Sequence, residues 1–309
     1  MNRPLGTSSS LDARRDVGPQ PGAPDPADRD CGLARLLDLA LVLAGVAAVA
    51  CALTLAVPGL LSGPAVMNGS ARGTALVALC AAVPTLLGGV WWARGGATGG
   101  MVAVAGAAAY LVYNGFLLVF ATPFNEAFLW YVATLGLALW TMVGLCLELW
   151  VRTTRLRADP PRWVAVYLWV VVALNALVWL ARIVPALFDE HPTSMLAGTG
   201  LTTNPVYVQD LAFWLPAISW LAVGVWRRHP PRVALATAAT VFWAIEALGV
   251  AVDQWMGHRA DPVSEVASLT VVPAFLALAV IGLWPLLRLL PTLPAQVLPA
   301  PRRTVHHAE

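Results

Sequence analysis

Residues 163–187 read WVAVYLWVVVALNALVWLARIVPAL, a run whose single charge is Arg182. An α-helix rises 1.5 Å per residue, so about 20 such residues cross about 30 Å of hydrocarbon. The run shows none of the ten-residue alternation that a membrane barrel strand needs, which leaves a transmembrane helix. Beyond it lies the polar connector Asp189-Glu190-His191, and then Asn204-Pro205 leads into a second apolar segment carrying Asp210 and Trp214. Two neighbouring spans therefore carry polar groups at the ends that their connector joins.

Outward from this pair, further apolar segments occupy 36–57, 74–93, 101–121, 126–150, 206–226, 233–255 and 266–287, making eight spans in all. The bulk composition agrees: of 309 residues, 59% are hydrophobic and only 12% charged, with a mean hydropathy of +0.71, far from the usage of a soluble domain. The expected fold is all-α, a polytopic membrane helix bundle. Residues 33–290 form the transmembrane domain, flanked by tails at 1–32 and 291–309 whose Pro, Gly, Ser and charged residues cannot build a core. Pro84, Pro216, Pro273 and Pro285 lie in or near spans, where kinks are tolerated if neighbours satisfy the freed carbonyls.

All 19 basic residues are arginine, so no lysine is present for Schiff-base chemistry, a retinal linkage included. Arginine with abundant Ala, Gly and Pro suits a GC-rich bacterial genome. Sixteen of the arginines fall on one side of the eight spans, among them Arg94, Arg152, Arg162, Arg227, Arg228, Arg232 and Arg288, while Arg72 and Arg259 fall on the other. Cytoplasmic loops hold the positive excess, so both termini are expected in the cytoplasm and the protein in the bacterial inner membrane. Many of the 14 tryptophans sit at span ends as interfacial anchors: Trp91, Trp92, Trp150, Trp163 and Trp226 inside, Trp130 and Trp255 outside. Gly136 and Gly144 on one span, and the small residues of 97–109, suggest close helix approach. Cys51, Cys80 and Cys146 lie within apolar runs and suggest no disulfide framework.

With that orientation, the intramembrane polar residues gather in the outer half. Asn114 lies at the outward end of the third span, Asn125 at the start of the fourth, Asn175 and Arg182 on the fifth, Asp210 on the sixth, and Glu246 and Asp253 on the seventh. Asn175, Trp179 and Arg182 share one helical face by spacing, as do Glu246 with Asp253, and Tyr110, Tyr113 and Asn114 form a third stripe. A charge in lipid costs on the order of 2.5–3.5 kcal/mol by insertion scales, so these faces should turn towards the bundle interior or a wet cavity. An outward polar pocket among the third, fifth, sixth and seventh spans follows. The same residues also admit a structural reading, in which Arg182 and Asp210 pair to pin two helices with Trp179 stacked on the guanidinium. Glu246, without an obvious basic neighbour, suits a proton carrier or a general acid, or equally a neutral acid bonding a neighbouring helix.

Asp189, Glu190, His191, Asp253 and His258 share the outer side but show neither HExxH nor paired Cys/His spacing, so no metal site is expected. No P-loop, GxGxxG or GxSxG element occurs in a strand-turn-helix setting. No cofactor and no nucleic-acid partner are expected; the lipid bilayer is.

Two stretches carry a resemblance. Tyr113-Asn114-Gly115-Phe116 through Thr122-Pro123-Phe124-Asn125-Glu126-Ala127-Phe128-Leu129-Trp130-Tyr131 is one, and Thr203-Asn204-Pro205-Val206-Tyr207-Val208-Gln209-Asp210-Leu211 through Pro216 is the other. Both are similar to segments of a widespread group of uncharacterised bacterial multi-pass membrane proteins, in which an Asn-rich aromatic hairpin precedes an Asp-Leu step and a proline. The resemblance covers about thirty residues and implies no activity. It gives Asn114, Asn125 and Asp210 joint weight.

The leading expectation is a protein that binds or moves a small solute or ion through the outward pocket, with Glu246 and Asp210 as protonatable groups and Arg182 as their charge partner. The alternatives are an intramembrane enzyme acting on a lipid or isoprenoid through its carboxylates, and a non-catalytic subunit or sensor. The balance leans against an enzyme.

Overall fold

The computed structural model describes residues 26–154 and 156–296. The outer parts of the two expected tails, 1–25 and 297–309, lie outside the described residues, while 26–32, expected in the first tail, are helical as the start of the first span. Eight helices among the described residues are long and apolar enough to cross a membrane. They are α1 Pro26–Ala56, α2 Ala65–Arg94, α3 Thr98–Phe120, α4 Phe128–Thr153, α5 Arg162–Leu187, α6 Pro205–Trp226, α7 Pro230–Ala260 and α8 Leu269–Thr292. No strand occurs among them, and a single isolated bridge joins Ala97 to Gln296. The all-α membrane bundle expected from hydropathy is what the chain forms.

Its interior inverts the usual order of a soluble protein. Small residues fill the core, including Ala40, Ala47, Ala105, Ala107, Ala108, Ala234 and Ala238, while Leu174, Leu177, Val280, Leu287 and Phe213 are exposed. Lipid tails are as apolar as leucine, so burying large side chains gives helices no advantage, whereas small ones let backbones meet and gain dispersion contacts. α3 and α7 are the most enclosed helices, and α5 and α8 lie at the periphery on α6 and α7 respectively.

The glycines record how closely these helices approach. A Cβ at Gly106 on α3 would stand 2.5 Å from Cβ of Val241 on α7, and one at Gly100 would stand 2.2 Å from the Ala93 nitrogen on α2. Gly69 and Gly73 on α2 face Met256 and Asp253 of α7 at 2.5 and 2.8 Å by the same measure. Of the two glycines singled out on α4, Gly144 packs on Leu36 of α1, but Gly136 meets nothing within 4 Å. Polar ties are few. One joins the hydroxyls of Thr54 and Tyr131 at 2.8 Å, linking α1 to α4.

α2 and α6 share a local device. Each contains a π-helical turn, Ala78–Ala82 in α2 and Asp210–Trp214 in α6, and each turn is followed two residues later by proline, Pro84 and Pro216. Proline has no N–H to give the carbonyl four residues back and its ring crowds that carbonyl. A widened turn accommodates both problems without ending the helix. Pro273 falls in the first turn of α8, where no N–H is required, and Pro285 lies in its interior.

The arginine-rich helix ends meet at one end of the bundle. Arg94 ends α2 beside Asp38 of α1, Arg228 pairs with Asp159 at 3.0 Å, and Trp150 stacks on Trp220 with ring centroids 5.8 Å apart. Arg162, Arg232 and Arg288 sit over the Trp226, Trp220 and Trp284 rings at 5.3, 4.2 and 4.7 Å. Arg259 does the same with Trp255 at the opposite end, at 5.4 Å. Guanidinium over indole suits an interface where the ring is half in lipid and the charge in water.

Candidate functional site

In the half of the bundle away from the arginine-rich end, a cavity of about 340 Å³ opens among α2, α3, α5, α6, α7 and α8. Asn114, Asn175, Asp210, Glu246 and Asp253 all line it. Spacing along separate helices had suggested one shared depth, and the folded chain brings these five groups to one wall system. Asn114, Asp210 and Glu246 are buried, and Asn175 and Asp253 are half-buried.

Asn114, Glu246 and Asp210 are held by bonds between helices. Asn114 on α3 donates its Nδ2 to the Glu246 Oε2 on α7 at 2.9 Å, and the same amide reaches the Tyr110 carbonyl at 3.2 Å. Trp179 on α5 donates its indole Nε1 to Asp210 Oδ2 on α6 at 2.8 Å. Buried Gln209 donates to the Tyr113 carbonyl at 3.4 Å and accepts from Trp214 Nε1 at 3.2 Å, tying α6 to α3. Asn175 back-bonds to the Val171 carbonyl on its own helix at 3.0 Å. Tyr113, which lines the cavity, packs behind it on Trp214 and Phe242, with the three ring centroids 4.7–5.9 Å apart.

Local sequence explains how α6 reaches the site. Asn204 caps its start, its Oδ1 accepting from Val206 and Tyr207 N–H at 3.0 and 3.4 Å, and Pro205 occupies the first turn. Asp210 then opens the π turn, which carries both Asp210 and Trp214 before Pro216.

Three carboxyls face this cavity and no Arg, Lys or His lines it. Along α7, Glu246 lies seven residues from Asp253, about 10 Å of rise, so the acids form a ladder rather than a cluster. Among the described residues no three His, Cys, Asp or Glu side chains converge as a metal set. Asp189, Glu190 and His191 are exposed on their connector.

Two further cavities continue the first towards the loops. One of about 190 Å³ shares Thr74, Leu117, Val206, Asp253 and Gln254 with it. Another of about 270 Å³ shares Met67, Ala121, Thr122, Thr199 and Leu201 with the second, and reaches Gly63 and Thr202 on the connectors. Asp253 stands at the junction of the inner two.

Arg182 is the main departure from expectation. It is exposed and lies off the cavity wall, and the Arg182–Asp210 ion pair does not form. Equal azimuth on α5 does not mean equal height: Trp179 is about 4.5 Å of helix nearer the cavity, and its indole nitrogen already holds the Asp210 carboxylate, where a stack on the guanidinium had been the alternative. Asn125 also lies apart. Its Oδ1 accepts from Ala127 N–H and its Nδ2 donates to the Pro123 carbonyl, both at 2.9 Å, which makes it the keystone of the α3–α4 turn.

Sequence reasoning missed Trp243, Gln254, Thr74 and Phe275 on the cavity wall. Aromatic and small polar residues inside apolar runs carry no signal of their own. Only the i−3 spacing of Trp243 from Glu246 placed it near that face. Trp243 Nε1 and Asp253 Oδ1 are buried and have no hydrogen-bond partner.

Comparison with family models, curated proteins and solved structures returned no match to this chain.

Proposed function

We propose that this multi-pass membrane protein binds a small cationic solute in the carboxyl-lined cavity and moves it, with Glu246 and Asp210 exchanging protons for it. The supporting observation is the charge imbalance of the site: three carboxyls face one cavity and no basic side chain lines it. Carboxylates removed from water need a counter-charge, and here only a proton or a bound cation supplies one. Two adjoining cavities, the nearer sharing Asp253 with the site, lie between it and the loop end and support access from that side. The arginine bias supports cytoplasmic termini and an outward-facing mouth, and the composition supports a bacterial inner membrane. Kinship with the bacterial multi-pass group rests on the two stretches around Asn114 and Asp210.

The test is proton flux in proteoliposomes holding a pH-sensitive dye, with ethylammonium and tetramethylammonium as probe cations. Cation-dependent flux should appear with the native protein and vanish in Glu246→Gln. Flux indifferent to that substitution overturns the proton-linked role. Turnover of an added lipid extract, lost in Asp210→Asn, would replace transport by intramembrane lipid chemistry.

A further inference from the structure

The wall of the same cavity is open in a second direction. α5 packs on α6, and α8 packs on α7, so the two peripheral helices flank the site without closing over it. Leu174 and Val178 on α5, beside Asn175 and Trp179, and Phe275 and Leu278 on α8 give this edge of the cavity apolar lips. Leu174 is 58% and Val178 51% exposed, so the same side chains belong to the lipid-facing surface and to the cavity wall. Towards the arginine-rich end the gap narrows, where the Tyr167 hydroxyl comes within 3.8 Å of a Cβ built on Gly282. The result is a cleft shut at one end, with acids at its back and hydrocarbon at its lips.

We infer that the cation bound here carries a hydrocarbon chain and enters sideways from the bilayer between α5 and α8; this deepens, and rests on, the cation-binding reading. Three features of the site point to an alkylammonium. Its charge is matched by the carboxyls, and its N–H or N–CH₃ face by the Tyr113, Trp179 and Trp243 rings, none of which is covered by an arginine of the protein itself. The buried Asp253 Oδ1, on a residue of the cavity wall, lacks a donor, and an ammonium N–H supplies one. At about 340 Å³ the cavity lies at the small end of ligand pockets. It accommodates a head group, and the chain must lie along the cleft.

The experiment is native mass spectrometry of the purified full-length protein in a non-ionic detergent, with dodecyltrimethylammonium, tetramethylammonium and dodecyl sulfate as probes. Dodecyltrimethylammonium should be retained at least tenfold better than either of the others. Leu174→Trp or, on the opposite lip, Leu278→Trp should remove that advantage, bringing retention of dodecyltrimethylammonium down to that of tetramethylammonium measured on the same variant. Because Leu174 faces lipid, its replacement spares the core, and the two variants check each other for misfolding. Equal retention of the long and short cations, unaffected by either tryptophan, overturns lateral entry but leaves cation binding standing. Retention of dodecyl sulfate as strong as that of the long cation overturns it too, since the tail alone would then suffice. Retention of neither cation overturns both readings.

Discussion

Gly73→Ala tests the α2–α7 seam most directly. An added methyl would stand 2.8 Å from Asp253 Cα and from the Val252 carbonyl oxygen, both backbone atoms that cannot rotate away. Ordinary carbon contacts lie near 3.5–4.0 Å, so the helices must part locally by roughly 0.7–1.2 Å, and a gap of about 1 Å forfeits up to about half of the dispersion energy of the atoms lining it. Overpacking of this kind costs about 1–3 kcal/mol, and the better helix propensity of alanine returns at most about 1. The expected net loss is about 0–2 kcal/mol, or about 1–3 kcal/mol relative to a glycine-to-alanine change that meets no neighbour. Adding Gly69→Ala, whose methyl would meet the Met256 carbonyl at 2.5 Å, should deepen it. The assay is reversible unfolding in mixed micelles with a denaturing detergent, followed by tryptophan fluorescence. Gly136→Ala is the internal control, because nothing lies within 4 Å of its methyl and only the propensity gain remains. If Gly73→Ala is as stable as Gly136→Ala, the seam is looser than described and the argument fails. A lost seam would also displace Asp253, so solute binding should weaken in parallel.

Other outcomes follow from single contacts. Asn204→Ala removes the cap of α6 and should cost about 1 kcal/mol in the same unfolding assay; no change would mean that the cap is replaced by water. Arg182→Ala should leave stability and probe-cation binding unaltered, since Trp179 rather than Arg182 holds Asp210; weakened binding would restore the ion-pair reading. In a double-mutant cycle, Asn114→Leu and Glu246→Leu should show a coupling of about 0.6 kcal/mol and no more than about 1.7, the range for hydrogen bonds between membrane helices. A coupling of zero would mean that the 2.9 Å contact contributes nothing.

The spans were legible because hydropathy in a bilayer is a near-direct readout of which residues face hydrocarbon. The ends of four helices were not. α1 starts at Pro26 rather than 36, α2 at Ala65 rather than 74, and α7 and α8 run on to Ala260 and Thr292 rather than 255 and 287. Met67 to Arg72 and Trp255 to Arg259 mix polar and apolar residues, and these two turns are helical through packing on each other across Gly69, Gly73 and Gly257, not through lipid exposure. Much of the site was legible for the same reason inverted: Asp210, Glu246 and Asp253 are conspicuous in apolar runs because lipid penalises them. Periodicity fixed which way each residue faces around its helix but not its height against a neighbour, and Arg182 was misjudged on that account. Asn125 was drawn in by a shared motif, while its amide is spent on a turn.

The two proline-linked π turns give α2 and α6 a phase offset that regular helices lack. One surplus residue in a turn advances everything beyond it by about 100° around the helix axis. In α6 the offset falls on the cavity wall itself, between the Asp210 end and the Trp214 end. Removing one residue there, and replacing Pro216 by alanine so that the ladder can close, would wind the helix into a regular spiral. The cap at Asn204 and the aromatic packing of Trp214 could then no longer both be kept, and either the acid or the indole would swing out of register with α3.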